Sequence, residues 1–397
     1  GLGELDKAVA SYNKAIIIKP NYFKAHSNLG AALNDQGKLD EAVVSYNKAI
    51  AIKPDYADAH LNLGITLQGL ERLEEAMASC NKALTINPDF AEAHNNLGNA
   101  LNELGRLDEA VTSYNKALAV KPDYAEAYSN LSNVLQDQGN IEDAVNQLDL
   151  ALSYKPEKSG WLTRKALFLP VIPYSQEDII NRRKELSEIV LALQDKKLIV
   201  EDPLVDIGST NFYLAYHGQN NRSIMESIAK LHISVCPKLT FEAEHCRRKQ
   251  VRKDGRLQIG FLSSYFKEHS VGKLSCGLIE HFSREIFEVI VFHLPGKKDA
   301  VTKAIVQSAD RSVLLSRNLE KDRVSIAEQE LDCLLYLDIG MDPYTYFLSF
   351  ARLAPVQAMT WGHPDTTGIP NIDYFISSDS IEPPEASRHY TETLIKL

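Results

Sequence analysis

Residues 25–54 read AHSNLGAALNDQGKLDEAVVSYNKAIAIKP, and the same arrangement of residue types returns along the chain every 34 residues. The recurring residues are two sets of alanines and one set of prolines, at Ala8, Ala42, Ala76, Ala110 and Ala144, at Ala15, Ala49, Ala83, Ala117 and Ala151, and at Pro20, Pro54, Pro88, Pro122 and Pro156. Each unit contains two amphipathic stretches, and the proline closes the second because it cannot continue a helix. The first part of the chain is therefore predicted to be a stack of helix pairs.

Small residues of this pattern stand where two helices must approach closely. Gly30 and Ala42 are such positions, whereas Tyr46 supplies bulk between the helices. In spacing and residue types the units resemble the tetratricopeptide repeat. This predicts an α-solenoid over residues 1–156, with one partial and four full repeats. Because such repeats stack on neighbours, we expect further residues before Gly1.

A second set of residues shares the period but lies beside the buried positions. It consists of Asn28, Asn62, Asn96 and Asn130. Each precedes the buried leucine or equivalent of a first helix, so its side chain points away from the core. One interpretation is a merely soluble surface. The other is a polar row that hydrogen-bonds the backbone of an extended peptide, and periodicity alone does not separate the two.

The composition is that of a folded protein with two or three domains. The chain has 397 residues, of which 44% are apolar and 24% charged. A net charge of −10 argues against nucleic acid or an anionic membrane as partner. No apolar run reaches the roughly 18–20 residues of a membrane span. Five scattered cysteines without a C-x-x-C pair favour a reducing cytoplasm over a disulfide framework or a zinc site.

The period stops after Pro156, and residues 157–255 are predicted to form a helical connector. The stretch QEDIINRRKELSEIVLALQDKK (176–197) is amphipathic, and FYLAYHGQNNRSIMESIAKLH predicts a second helix over 212–232. His217 lies in the first part of that helix. A single histidine beside aromatic residues more often has a structural than a catalytic role. The residues around His217 alone therefore do not predict a catalytic role for it.

From residue 256 to 397 short apolar runs alternate with helical stretches, which predicts a mainly parallel sheet with helices on both faces. The runs are LQIGFLS, FEVIVFHL, RSVLLS, LDCLLYLDI, VQAMTWG and DYFISSD. Ligands of such sheets bind at the carboxyl ends of the strands. Two polar clusters are predicted there, SSYFKEHS (263–270) and WGHPDTTG (361–368). We therefore expect His269 and His363 to share a crevice.

Several enzyme classes are disfavoured by missing motifs. No G-x-G-x-x-G follows the first strand, and the P-loop and G-x-S-x-G patterns are absent from the sequence. No histidine pair has metal-ligand spacing backed by a carboxylate, which disfavours a metal site, and with the nucleotide-binding motifs missing no other cofactor is expected. The polar residues predicted at the carboxyl ends of the strands are histidines and hydroxyl-bearing residues. These residues are suited to acid–base chemistry or to recognition of a sugar-like ligand.

Taken together, nearly the whole chain resembles the O-GlcNAc transferases and their bacterial relatives. LQIGFLSSYFKEH (257–269) resembles the first strand and the Ser-Ser-Asp-Phe-Gly-Asn-His motif of that family. RLAPVQAMTWGHPDTTG (352–368) resembles its Arg-Pro-Ala-Pro-Ile-Gln strand and Gly-Tyr-Pro-Gly-Thr-Ser-Gly loop, and YLAYHG (213–218) resembles its Leu-Ser-His-Gly stretch. The resemblance implies that residues 256–397 are one Rossmann-like half of a two-domain, GT-B type glycosyltransferase.

The resemblance also implies a function and a set of site residues. It implies transfer of a sugar, GlcNAc, from a UDP-sugar to serine or threonine by an inverting displacement without metal, with His269 and His217 as catalytic residues. The implied donor-sugar loop consists of Gly362, His363, Pro364, Thr366 and Thr367. The asparagine row would bind acceptor peptides. Because the family places its leaving-group contacts in a second half after the segment ending at Leu397, we expect residues 1–397 alone to be inactive.

Two departures from the family pattern leave other functions open. Tyr265 replaces the aspartate of the first motif, which removes a carboxylate beside His269. His363 replaces the usual tyrosine, and Gly-His-Pro resembles the bacterial branch that includes protein N-glucosyltransferases using UDP-glucose. A further alternative is an interaction scaffold built on the repeats, in which the α/β unit has lost its chemistry.

Overall fold

The computed structural model describes residues 2–170, 172–248, 255–296, 298–360, 362–363 and 365–397. The chain divides into two compact units, residues 1–156 and residues 157–397. No helix in the described part of the chain is both long and apolar enough to cross a membrane. The two units are taken in turn.

The first unit is entirely helical, and the predicted tetratricopeptide solenoid is confirmed. A first helix is followed by four helix pairs, α2–α3, α4–α5, α6–α7 and α8–α9. The bounds are α1 Leu2–Ile18, α2 Phe23–Asp35, α3 Leu39–Ile52, α4 Ala57–Gly69, α5 Leu73–Ile86, α6 Ala91–Glu103, α7 Leu107–Val120, α8 Ala125–Asp137 and α9 Ile141–Tyr154. The helices of each pair bury the recurring alanines, so periodicity and packing agree.

Close packing within a pair depends on one small residue facing one large residue. A Cβ added to Gly98 would lie 2.6 Å from the Tyr114 ring, which is closer than atoms can pack. In the fourth pair a serine, Ser132, takes the small position and Leu148 the large one. The Ser132 hydroxyl then donates to the Ala144 carbonyl (2.7 Å). In this pair the residue at the small position is larger than glycine, and the residue at the large position is smaller than tyrosine. The two changes in side-chain volume compensate each other, so no cavity is left.

The second unit contains eight α-helices and seven strands among its described residues. The helices are α10 Ser159–Ala166, α11 Gln176–Gln194, α12 Pro203–Asp206, α13 Arg222–Val235, α14 Ser270–His281, α15 Ala300–Ser308, α16 Leu319–Ala327 and α17 Pro343–Leu348. Short 3-10 helices cover Phe212–His217, Pro237–Thr240, Glu244–Arg247 and Ala386–His389. The strands are β1 Leu257–Leu262, β2 Phe287–His293, β3 Arg311–Leu314, β4 Cys333–Tyr336, β5 Val356–Thr360, β6 Tyr374–Ser377 and β7 Thr393–Lys396.

All seven strands pair in parallel, in the order β3-β2-β1-β4-β5-β6-β7. Alternate side chains of the central strands enter opposite cores, as the period of a strand requires. Ile290 of β2 belongs to the core covered by α11, α13, α16 and α17, whereas Val291 belongs to the core covered by α14 and α15. The predicted parallel sheet with helices on both faces is confirmed. Its order reverses between β1 and β4, which is where such sheets open a crevice.

The structure differs from the sequence prediction in three places. The helix predicted over 212–232 is interrupted at Gly218, whose left-handed conformation (φ 61°) separates a 3-10 helix from α13. Strand β7 is not predicted by the sequence, because its apolar run, Leu394 and Ile395, is only two residues long. The predicted connector shares one core with the sheet, since Leu186 and Ile228 pack in the same cluster as Phe292. Both therefore lie in one compact unit.

Candidate functional site

The carboxyl ends of β1, β4 and β5 meet at one rim of the sheet. A cavity of about 170 Å³ opens there, with α14 on one side and the segments after β4 and β5 on the other. Its lining includes Ser270, which follows His269, and Gly362, which precedes His363. Neither imidazole ring is among the described lining residues. One residue next to each of the two histidines thus lines the cavity, and a crevice shared by the two rings stays a prediction.

His269 is held at the start of α14 by its own side chain. It is the N-cap residue, and its Nδ1 accepts a hydrogen bond from the Val271 amide (3.3 Å). Its ring stacks on Tyr265, with centroids 4.4 Å apart. Partial burial and, to a smaller extent, Lys267 lower the pKa of His269, so the ring is neutral near pH 7. Because Nδ1 is an acceptor, the proton of the neutral ring sits on Nε2. In this state His269 presents a donor rather than a base.

The turn that leads to His269 is fixed by two aspartates from beyond β4. Asp338 Oδ2 accepts from the Ser264 amide (2.9 Å), and Asp342 Oδ1 accepts from the Ser264 hydroxyl (3.0 Å). Asp338 is fully buried, and its Oδ1 has no hydrogen-bond partner among the described residues. Burial, reinforced by Asp342, raises the pKa of Asp338 to about 8, so this carboxyl is largely protonated at neutral pH.

The loop after β5 needs glycine at both of its ends. A Cβ on Gly362 would lie 1.7 Å from the Leu337 carbonyl oxygen, and one on Gly368 (φ 70°) would lie 2.2 Å from the Met225 backbone. The loop is therefore pressed against the end of β4 and the first turn of α13. Pro364, expected to take part in donor binding, and Trp361 lie outside the described residues.

His363 is buried within this loop. Its ring stacks on Phe212 (centroids 4.9 Å apart) and leaves no room for a side chain at Gly340, where a Cβ would lie 2.5 Å from Cδ2. Burial lowers the pKa of His363 to about 4, so the ring is neutral at physiological pH. Its Nδ1 is buried without a hydrogen-bond partner in the described part of the chain. The ring is placed by packing rather than by a polar partner.

Thr366 and Thr367 turn their hydroxyls to a buried carboxylate, Glu392, which is 4% exposed. Thr366 Oγ1 donates to Glu392 Oε2 (2.7 Å), and the Thr367 amide and hydroxyl both donate to Oε1 (2.8 Å for the amide). We expected these hydroxyls to face the sugar, and this geometry does not support direct contact. No sequence pattern points to Glu392, which lies 25 residues further along the chain than Thr367.

His217 ends the 3-10 helix Phe212–His217, with its ring buried. Neither ring nitrogen has a hydrogen-bond partner among the described residues. Burial and the nearby Arg183 lower the pKa of His217, although Asp178 opposes the shift. The ring is neutral, with one nitrogen able to accept and the other able to donate. Buried histidines usually have partners, so two open positions mark His217 as a group that a ligand or water can engage.

The four asparagines of the row lie at equivalent places of α2, α4, α6 and α8. Asn28 is exposed and the other three are half-buried. Asn96 donates to the Glu92 carbonyl (2.8 Å), and Asn130 donates to the side chains of Asn95 and Asn99. These bonds use the amide N–H groups of Asn96 and Asn130. Their carbonyl oxygens remain available in the described structure, and an acceptor is what a peptide N–H needs.

Comparison with known proteins gives two family matches along the chain. Residues 2–36, 32–71, 69–105 and 98–139 match the TPR repeat, and residues 125–154 match the tetratricopeptide repeat. Residues 177–397, more than half of the chain, match glycosyl transferase family 41.

Individual relatives support the same assignment over shorter stretches. The probable UDP-N-acetylglucosamine–peptide N-acetylglucosaminyltransferase SPINDLY of Solanum lycopersicum is 30% identical over 146 residues, which is 36% of this chain and 16% of the relative. The UDP-glucose:protein N-beta-glucosyltransferase of Actinobacillus pleuropneumoniae is 42% identical over 74 residues, 18% of this chain and 12% of the relative. The matched stretches thus span only 16% and 12% of the length of these two relatives.

A solved structure shows the same fold. The Thermobaculum terrenum O-GlcNAc transferase mutant K341M aligns with a TM-score of 0.59 and 22% identity, covering 86% of this chain and 57% of that one. The match to the family covers the sheet, the helices packed on it and all three histidines of the candidate site. The chain therefore belongs to glycosyl transferase family 41 and carries tetratricopeptide repeats before its family 41 region.

Proposed function

We propose that the protein carrying this chain is a UDP-sugar-dependent protein glycosyltransferase. It transfers GlcNAc to serine or threonine side chains of acceptor proteins that the repeats bind, by inverting displacement and without a metal or other cofactor. The observation that carries the proposal is that, in the family 41 region, Ser270 next to His269 and Gly362 of the loop after β5 line one cavity at the carboxyl rim of a parallel sheet. The five free cysteines are consistent with a cytoplasmic location.

Neutral histidines suit this chemistry because the acceptor hydroxyl must be oriented and lose a proton during transfer. His269 Nε2–H can donate to an oxygen of the acceptor or the donor. His217 keeps an unprotonated nitrogen with no competing partner among the described residues, so it is the better placed of the two to accept a proton. The lowered pKa of both rings keeps them neutral at pH 7, which favours these roles.

The experiment is a transfer assay on the full-length protein with an unstructured acceptor and either UDP-GlcNAc or UDP-glucose. Intact-mass spectrometry should detect an added N-acetylhexosamine that alkaline β-elimination removes. Addition of a hexose that resists β-elimination would favour the N-glucosyltransferase alternative, which the 42% identical stretch supports. No transfer with either donor, together with acceptor binding, would leave the repeat scaffold as the function.

The asparagine row is proposed to hold the acceptor backbone, and we predict that four alanine substitutions weaken acceptor binding. The variant replaces Asn28, Asn62, Asn96 and Asn130, and each lost hydrogen bond should cost about 0.5–1.5 kcal/mol. Affinity is measured by calorimetry or fluorescence anisotropy, with circular dichroism to check folding. Asn81, Asn47 and Asn13 on the second helices provide a matched set of control substitutions. Equal affinity of both folded variants would contradict the proposed role.

A further inference from the structure

Two segments of the candidate site are joined by a single buried amide. Asn221, 3% exposed, precedes α13 and follows the 3-10 helix Phe212–His217. We propose that Asn221 is a positioning residue which, with Asp365 and Arg183, holds His217 and the loop 362–368 in a fixed relation. The part of this proposal that concerns turnover rests on the proposed transferase function. The part that concerns the geometry of His217 and the loop is independent of that function.

The side chain of Asn221 uses both of its N–H donors on these two segments, and its oxygen accepts a hydrogen bond from a third. Its Nδ2 donates to Asp365 Oδ2 (2.6 Å) in the loop and to the Leu214 carbonyl (3.0 Å) in the 3-10 helix. Its Oδ1 accepts from Arg183 of α11. One amide thus contacts three parts of the chain that are far apart in sequence, and it is buried, so each broken bond would leave a polar group without water.

Both hydrogen-bonded segments carry a histidine of the site. Leu214 lies one turn before His217, and Asp365 lies two residues after His363. A second contact joins the same segments, because the Phe212 ring stacks on His363. The Thr210 hydroxyl also donates to the Gly340 carbonyl (2.6 Å) beside that ring. The segment 210–221 is therefore attached to the rim at several points, and at one of them the buried Asn221 side chain makes the contact.

Arg183 completes the cluster from the side of α11. Besides Asn221 it donates to the Asn220 carbonyl (2.7 Å), so it fixes the turn that presents the Asn221 amide. Burial raises the pKa of Asp365 to about 6, whereas the hydrogen bonds from Asn221 and the Thr366 amide and, to a smaller extent, the charge of Arg183 oppose this rise. The cation therefore favours the ionised form of Asp365, which is the form that accepts two hydrogen bonds, from Asn221 and from the Thr366 amide (2.9 Å).

Positioning through Asn221 matters because His217 has no polar anchor of its own. Both of its ring nitrogens lack hydrogen-bond partners in the described structure, so the place of the ring is set by the segment that carries it. Loss of the Asn221 bonds would free that segment and the loop together. A misplacement of about 1 Å is enough to cost on the order of 100-fold in a transfer step.

The test compares Asn221→Ala, Asp365→Gly and the double variant with the wild type by hydrogen–deuterium exchange. We expect each single variant to speed exchange of the amides at 213–217 and 365–369 by about tenfold, the effect of about one lost hydrogen bond. The double variant should be no faster than the faster single one, because both remove the same contact. Asn220→Ala is the matched control, since this exposed neighbour makes no described contact with the loop 362–368 and should leave these amides unchanged.

A donor–acceptor exchange keeps the test decisive if Asn221→Ala fails to fold. Asn221→Asp alone sets two carboxylates against each other, and Asn221→Asp combined with Asp365→Asn restores a hydrogen bond in the opposite sense. We expect the combination to recover slow exchange at 365–369. No recovery, or unchanged exchange in every single variant, would overturn the positioning role.

Steady-state kinetics separates this inference from the proposed function. In an active protein the single variants should lower kcat by roughly tenfold or more while acceptor binding by the repeats is unchanged. Faster exchange with unchanged kcat would overturn the positioning role. A wild type without transfer activity would overturn the proposed function instead, and the exchange data would still decide whether Asn221 holds the two segments.

Discussion

Replacing Glu392 by alanine is expected to lower the free energy of unfolding of the second unit by roughly 3 kcal/mol or more. The substitution removes the acceptor of three buried donors, the Thr366 hydroxyl and the amide and hydroxyl of Thr367. Each buried donor left without a partner costs about 1–3 kcal/mol. Thr366 can recover part of this through Thr391, whose hydroxyl lies 2.9 Å away, which is why we expect less than the full sum.

The measurement is denaturant unfolding followed by tryptophan fluorescence. The two tryptophans of the chain, Trp161 and Trp361, both belong to the second unit, so the signal reports that unit without a contribution from the repeats. Glu392→Gln is the matched control, because an amide oxygen can still accept from Thr367 while the amide N–H donates to the Thr366 hydroxyl. It should cost about 1 kcal/mol. An alanine variant as stable as the glutamine variant would show that Glu392 does not hold the loop.

The repeats could be predicted well because their signal is local and repeated. Each helix pair is specified by residues within one 34-residue unit, such as Gly98 and Tyr114. Because the pattern occurs four times, an exception in one unit, such as Ser132, does not hide it. Six of the seven strands were also predictable, since buried parallel strands are short apolar runs. β7 was not predictable because its apolar run, Leu394 and Ile395, is only two residues long, and its pairing with β6 is what makes it a strand.

The groups that organise the site could not be found in this way. Glu392 acts on Thr367 across 25 residues, Asp338 on Ser264 across 74, and Asn221 on Asp365 across 144. Nothing in the composition around a buried polar residue tells which distant partner satisfies it. The sequence indicated which residues stand at the rim. Which hydroxyls face a ligand and which face a carboxylate is decided by tertiary packing alone.

The sequence likewise does not decide the roles of the histidines, and substitutions of these histidines have the largest expected effect on turnover. In the full-length protein, His269→Ala should lower the turnover rate by roughly 100-fold or more, the scale of a lost acid–base or orienting group. His363→Tyr should keep activity within about tenfold and change the ratio of UDP-GlcNAc to UDP-glucose use, because His363 acts through the shape of the loop. The comparison is made with purified variants at saturating acceptor, measuring kcat and KM for each donor.

His269→Asn tells what kind of contribution His269 makes. An asparagine can cap α14 by accepting from the Val271 amide, as the histidine does, and can donate from its Nδ2, but it has no basic nitrogen. The described geometry commits Nδ1 of His269 to the cap and leaves Nε2–H as a donor. We therefore expect His269→Asn to be at least about tenfold more active than His269→Ala. Equal loss in both variants would mean that His269 gives up its cap during turnover and acts as the base, whereas a silent His269→Ala beside an inactive His363→Tyr would exchange the roles assigned to the two histidines.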